Sequence, residues 1–78
     1  MTAIKDMVEY IAQSLADKPE AVRVSESVGD TVIMIELNVA SEDMGRLIGR
    51  KGRTINAIRS LARILAAKME MKVTVEIN

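Results

Sequence analysis

The sequence predicts an α+β domain of order α-β-β-α-α-β, a three-stranded mixed sheet with three helices on one face. Three observations predict it. Ile4, Met7, Val8, Ile11 and Leu15 recur at helical spacing. Two later runs, Ile33-Ile35-Leu37-Val39 and Val73-Val75-Ile77, alternate with other residues as strand faces do. Between those runs lies a helical segment broken by Gly49 and Gly52. With 78 residues, 49% of them hydrophobic, the chain has room for one small domain spanning 1–78. A domain of this size buries about 60% of the surface its unfolded chain exposes, so its core is adequate but marginal.

The elements follow in order. The first helix is expected over roughly residues 2–17 and ends at Asp17-Lys18-Pro19, because proline disfavours helical geometry in the residue before it. Val22 and Val24 alternate with Arg23 and Ser25 as a short strand, and Gly29-Asp30 marks the turn into the longer strand of Ile33 to Val39. These two strands should pair as a hairpin. Ser41 is a suitable N-cap for a short helix, followed by Glu42 and Asp43 at the positive end of its dipole. Gly49 can end that helix in a left-handed conformation. The next helix begins near Gly52 or Arg53, with a core stripe of Ile55, Ile58, Ala62, Leu65 and Met69 and a neighbouring apolar stripe of Ala57, Leu61 and Ile64. The last strand should lie parallel to the longer early strand, reached by a right-handed crossover. The far face of the sheet stays open to water or a partner.

Composition narrows the chemistry. With no histidine and no cysteine, the chain has no disulfides, no Cys/His metal sites, no thiol nucleophile and no imidazole base. Its carboxylates lie mostly in the N-terminal half, with none paired near the glycines, so no catalytic constellation, cofactor or metal site is expected and the chain does not read as an enzyme. No apolar run approaches the ~18 residues of a membrane span. The start lacks the basic-then-apolar order of a secretory signal, which makes an intracellular, cytoplasmic protein the expectation.

Eleven basic and eleven acidic residues cancel, yet they are segregated. Residues 1–45 hold three bases against nine acids, and residues 46–78 hold eight bases against two acids. From Arg46 to Arg63 there are six cations, Arg46, Arg50, Lys51, Arg53, Arg59 and Arg63, and no acid. Because salt screens beyond ~10 Å, a local field of this kind matters more than the summed charge.

The informative segment is Gly45-Arg46-Leu47-Ile48-Gly49-Arg50-Lys51-Gly52-Arg53-Thr54-Ile55. Two glycines bracket two cations between one helix and the next. Gly52 permits a tight turn with no side chain to hold a ligand away. The first amides of the following helix lack intrahelical partners and sit at the positive dipole end, an anion site made from backbone. A chain of phosphates suits such a site. A bare Gly-x-x-Gly is a weak signal, since helix–turn–helix connections use glycine for geometry alone. The full order, with apolar residues on both sides, is far more specific. It is not a Walker phosphate loop: Gly45 to Gly49 is one residue too short, Lys51 is not followed by Ser or Thr, and no strand feeds the loop.

On Leu47-Ile48-Gly49-Arg50-Lys51-Gly52-Arg53-Thr54-Ile55 the chain resembles the KH-domain family of RNA-binding modules. The element order resembles the type II KH arrangement, and the small size is similar to the bacterial KhpA family. That resemblance implies cytoplasmic binding of single-stranded RNA, an RNA-chaperone role, homodimers or a complex with a larger KhpB (Jag-like) RNA-binding partner, and links to cell-wall biogenesis and cell shape. Carried over by position, Gly49, Arg50, Lys51 and Gly52 would clamp the RNA backbone, across the four nucleotides that such a loop holds in KH domains. Arg46 and Arg53 would support them. Ile48 and Ile55 are the matching candidates for an apolar floor under the bases, although core packing suits both, Ile48 rather more. Arg59 and Arg63 lie further along the helix and are lesser candidates for phosphate contact, with solvated surface the preferred reading.

Tyr10 is the one aromatic residue and is far from the motif. Stacking on aromatics, about 1–3 kcal/mol per base, is therefore scarcely available. Weak, salt-sensitive binding of roughly 10⁻⁴–10⁻⁶ M by one copy is expected, and that favours an oligomer. The wide apolar face of the long helix offers a contact, and the six methionines suit an adaptable interface or gap-filling in the core. Two other readings remain open at this point: a protein-interaction module on the same fold, and a single-stranded DNA binder, since nothing in the sequence reads the 2′-hydroxyl.

Overall fold

The computed structural model describes residues 2–78. Thr2 caps the first helix, α1 (Ala3–Leu15), its hydroxyl oxygen accepting from Lys5 N at 3.1 Å. The same hydroxyl donates to Glu26 Oε2 at 2.6 Å, and the Thr2 amide donates to Glu26 Oε1 at 3.1 Å. The helix cap is thereby tied to the first strand. The Thr2 hydroxyl bond, first among the causes, holds the Glu26 carboxyl below its ordinary value. α1 stops two residues short of expectation, because Ala16 is already extended. Pro19 then opens a single 3-10 turn, Pro19–Ala21.

Strand β1 (Arg23–Val28) is longer than its apolar pattern suggests. Ser25-Glu26-Ser27 carries little hydrophobic signal, but each residue is paired antiparallel with β2 (Val32–Asn38), Glu26 opposite Ile35 and Val28 opposite Ile33. Backbone pairing with an apolar neighbour has overridden weak local preference. β2 also pairs in parallel with β3 (Lys72–Ile77), Ile33 beside Val73 and Ile35 beside Val75, so the sheet order is β1-β2-β3. β2 is the centre, and Ile33, Ile35 and Leu37 on its inner face are at most 1% exposed.

Between β2 and β3 the chain forms α2 (Met44–Ile48) and α3 (Arg53–Lys68). Ser41 does not cap α2 as expected. A 3-10 turn over Ser41–Asp43 precedes the helix, and the Ser41 hydroxyl makes no capping bond. Asp43 is turned inward instead. It is 1% exposed, and its carboxylate accepts from the amides of Asp17 at 2.9 Å and Lys18 at 3.0 Å. A buried carboxylate needs such partners, and here it pins the exit of α1 to the entrance of α2.

The core joins Ile4, Val8 and Ala12 of α1, Leu47 of α2, Ile55, Ile58, Ala62 and Ala66 of α3, and the inner sheet residues. Fully burying each large aliphatic side chain is worth about 1.5–3 kcal/mol. The neighbouring stripe of α3 is outside this core: Leu61 is 46% and Ile64 60% exposed, and Ala57 is exposed with them. Met69, expected in the core stripe, is also exposed, and α3 has already reached its C-cap there. Among the described residues, no helix is long and apolar enough to cross a membrane.

Candidate nucleic-acid interface

The loop between α2 and α3 is built by its two glycines. The Gly49 amide closes α2 on the Gly45 carbonyl at 2.8 Å. Gly49 itself has φ 79° and ψ 168°, which is positive φ with extended ψ rather than the expected left-handed helical cap. That region is essentially reserved for glycine. The cause lies across the turn: a Cβ on Gly49 would collide with Thr54 Oγ1 and sit 2.7 Å from Thr54 N. The chain is thus thrown outward from α2 and packed back against the start of α3. Lys51 (φ 57°, ψ 25°) and Gly52 (φ 75°, ψ 15°) then reverse it with two successive left-handed residues.

Not every amide at this turn is bare. Gly52 N donates to Gly49 O at 3.1 Å, and Arg53 N donates to Arg50 O. A 3-10 turn over Arg50–Gly52 consumes them, so the side chains carry more of any anion site than the sequence suggests. Arg50, Lys51 and Arg53 are exposed and enter no ion pair among the described residues. The first turn of α3 contains no acid. A helix N-terminus ordinarily favours carboxylates and disfavours cations, so three cations there oppose the helix's own field. An incoming anion would relieve that opposition.

The other candidate residues divide. Arg46 turns toward the exit of α1, with Nη2 3.0 Å from Asp17 Oδ2 and Nε 3.7 Å from Asp43 Oδ1. Its charge is already partly answered. Ile55 is 4% exposed and belongs to the core. Ile48 is half-buried against the same core.

Arg59, read from sequence as solvated surface, is half-buried and donates from Nε to the Val75 carbonyl at 3.0 Å. It and Arg63, one turn further along α3, line a concavity of about 220 Å³ with Val73, Thr74, Val75 and Glu76 of β3. A second concavity, about 340 Å³, continues past Arg63, Ala66, Met71, Lys72 and Val73. A cationic groove therefore runs beside the outer edge of the sheet. The signal that could have found it is the four-residue spacing of Arg59 and Arg63 next to the buried Ile58 and Ala62. The opposite, open sheet face carries a shallow depression of about 350 Å³ lined by Ser25, Met34, Glu36, Thr74 and Glu76 among others, with no Lys or Arg. That depression, with Glu26, Glu36 and Glu76 in its lining, is the wrong sign for a polyanion.

With this geometry in view, comparison with known proteins is direct. The family model described as KhpA/KhpB, KH domain, matches residues 5–77. A Clostridium perfringens protein named RNA-binding protein KhpA is 50% identical over 74 residues, covering 95% of this chain and 99% of its own. Proteins of the same name from Caldanaerobacter subterraneus and Chlamydia caviae are 49% and 45% identical, over 92% and 95% of this chain and 96% and 95% of their own. Among solved structures, Era from Aquifex aeolicus superposes with a TM-score of 0.65 at 24% identity, over 95% of this chain. This chain spans 29% of that protein, and the likeness is one of fold. The α-β-β-α-α-β order, the mixed sheet and the match over 5–77 together place the chain in the KhpA/KhpB family of KH domains.

Proposed function

We propose that this chain is a single-stranded RNA-binding protein, one KH domain over 1–78, that grips the phosphate backbone with Gly49, Arg50, Lys51 and Gly52. Arg53 adds charge at the same helix end, and Arg46 is a peripheral contact that must leave Asp17 to take part. The two isoleucines support the loop from beneath: Ile55 belongs to the core, and Ile48 is half-buried against it. The single observation that carries the reading is a helix N-terminus with three unpaired cations and no acid. Relatives named as RNA-binding proteins support RNA as the ligand. An RNA-chaperone role in the cytoplasm fits weak, backbone-directed contacts that exchange rapidly. Function as a homodimer, or with a larger KhpB-type partner, is supported by the exposed Leu61 and Ile64 on α3. The same stripe favours the second reading, in which the domain serves mainly as an interaction module.

The experiment replaces Arg50 and Lys51 together with Asp. Two carboxylates at this helix end fit the dipole, about 0.3–1 kcal/mol each, and Asp tolerates the left-handed position of Lys51. Melting temperature should hold or rise slightly. Affinity for single-stranded RNA should fall at least tenfold, and matched DNA oligomers measured alongside report whether the grip distinguishes the sugars. Undiminished RNA affinity in this variant would refute the loop as the grip.

A further inference from the structure

Arg46 sits on α2 three residues before Gly49, so about 4.5 Å of helix rise separates it from the phosphate loop. That is within the reach of an arginine side chain, yet here the guanidinium turns the other way, to the seam between α1 and α2. Its Nη2 lies 3.0 Å from Asp17 Oδ2, and its Nε lies 3.7 Å from Asp43 Oδ1. The two carboxylates differ in what they draw from it. Asp43 is 1% exposed, and each of its oxygens already accepts a backbone amide, from Asp17 at 2.9 Å and Lys18 at 3.0 Å. Asp17 is exposed, and among the described residues its side chain bonds to Arg46 alone. Lys18, the neighbouring cation, is held by Glu42 at 2.6 Å and does not take the place of Arg46. A carboxylate and a phosphate offer a guanidinium the same charge-assisted hydrogen bonds. RNA and Asp17 therefore compete for one side chain.

We propose that Asp17 is a positioning residue that withholds Arg46 from the phosphate grip. It keeps the guanidinium at the α1–α2 seam in the free protein and yields it to a backbone phosphate of bound RNA. Arg46 thus has two stations, a latch between helices and a grip on phosphate, and its pair with Asp17 sets how much charge a free copy shows to RNA. The pair is open to solvent, 52% for the Arg46 side chain and 72% for that of Asp17, so water and salt weaken it. The competition is accordingly mild: it trims affinity by a small factor and does not decide between binding and none. Asp43 keeps its two amide bonds when Arg46 leaves, so the seam survives the exchange. The inference rests on the RNA-binding reading above and adds to it an internal competitor for one phosphate contact.

The test measures affinity for a short oligouridine across a range of salt concentrations, in the starting chain, Asp17→Asn, Arg46→Gln and the double variant. Asp17→Asn keeps the backbone amide that Asp43 accepts and removes the charge that holds Arg46. It should bind about two- to fivefold tighter at low salt, the range that an exposed pair allows. Its salt slope should steepen by about 0.7, the increment for one more phosphate contact on a single strand. In the Arg46→Gln background the same substitution should change neither quantity. An equal gain in both backgrounds makes Asp17 a distant repulsive charge and overturns the proposal. No gain, or a loss, in Asp17→Asn overturns it as well. Should Asp17→Asn lose helicity, Asp17→Ser, with the same amide and no charge, is read in its place. If the starting chain binds no RNA at any salt concentration, the RNA-binding reading itself fails, which is a different result from binding without a gain in Asp17→Asn.

Discussion

At the scale of single residues, the two glycines of the loop are not equivalent, although the sequence motif treats them alike. Gly49 combines a glycine-only backbone with an approach to Thr54 too close for any Cβ. Gly52 lies in the ordinary left-handed region, and a Cβ there would meet Asn56 Nδ2 at 3.3 Å, the end of a side chain that can move. Gly49→Ala should therefore cost on the order of 3 kcal/mol or prevent folding, whereas Gly52→Ala should cost about 1–2 kcal/mol, the ordinary left-handed penalty. Chemical denaturation of the two variants checks the ranking, and equal losses would contradict it. That both positions need glycine was legible in the sequence. Which region each occupies was not, because the constraint on Gly49 comes from Thr54 folding back across the turn. Arg59 was misread for a similar reason. Its partner is a carbonyl of β3, sixteen residues away, and no local pattern reports a contact of that kind.

At the scale of elements, helix ends show where sequence signals and structure part. Pro19 signals the end of α1, although the helix stops earlier, at Leu15, and Thr2, inside the expected helix of residues 2–17, is its cap. The end of α3 bears no glycine, yet it closes with a complete Schellman arrangement: Met71 N donates to Ala66 O at 2.9 Å and Glu70 N to Ala67 O at 3.0 Å. Glu70 occupies the left-handed position at φ 58°, and its carboxylate faces the negative end of the helix dipole. Both features are unfavourable, and no bond to the Glu70 carboxylate offsets them among the described residues. Glu70→Gly should raise stability by about 1 kcal/mol, the left-handed penalty less the extra entropy that glycine has when unfolded. A rise in denaturation midpoint at constant slope is the expected result; a fall would show that the carboxylate has a role in the folded state. The strands were legible in β2 and β3, where burial imposes alternation. β1 was legible only at its start, because its later residues owe their conformation to pairing with β2.

At the scale of the whole molecule, the segregation of charge was visible in the sequence, and the fold turns it into two faces. Arg59 and Arg63 of α3 border the groove at the β3 edge, while the depression on the open sheet face is lined by Glu26, Glu36 and Glu76 and by no Lys or Arg. The division of apolar residues between core and surface was less legible. The two stripes of α3 look alike in sequence, since hydrophobicity alone cannot say that the sheet covers only the one containing Ile55, Ile58 and Ala62. The uncovered stripe, with Ile64 60% and Leu61 46% exposed, is where assembly can be tested without touching the fold. Ile64→Glu lies on an exposed helix face, where a substitution ordinarily changes stability by no more than ~0.5 kcal/mol. If α3 joins two copies, sedimentation should show the starting protein as a dimer and the variant as a monomer of unchanged helicity. Two linked grips act at millimolar effective concentration, so the monomer should lose at least tenfold in affinity for an RNA long enough to reach both sites. For an RNA that reaches only one site, it should lose nothing. A variant that remains dimeric places the interface elsewhere. A monomer that keeps full affinity for the long RNA shows that one loop and one groove suffice.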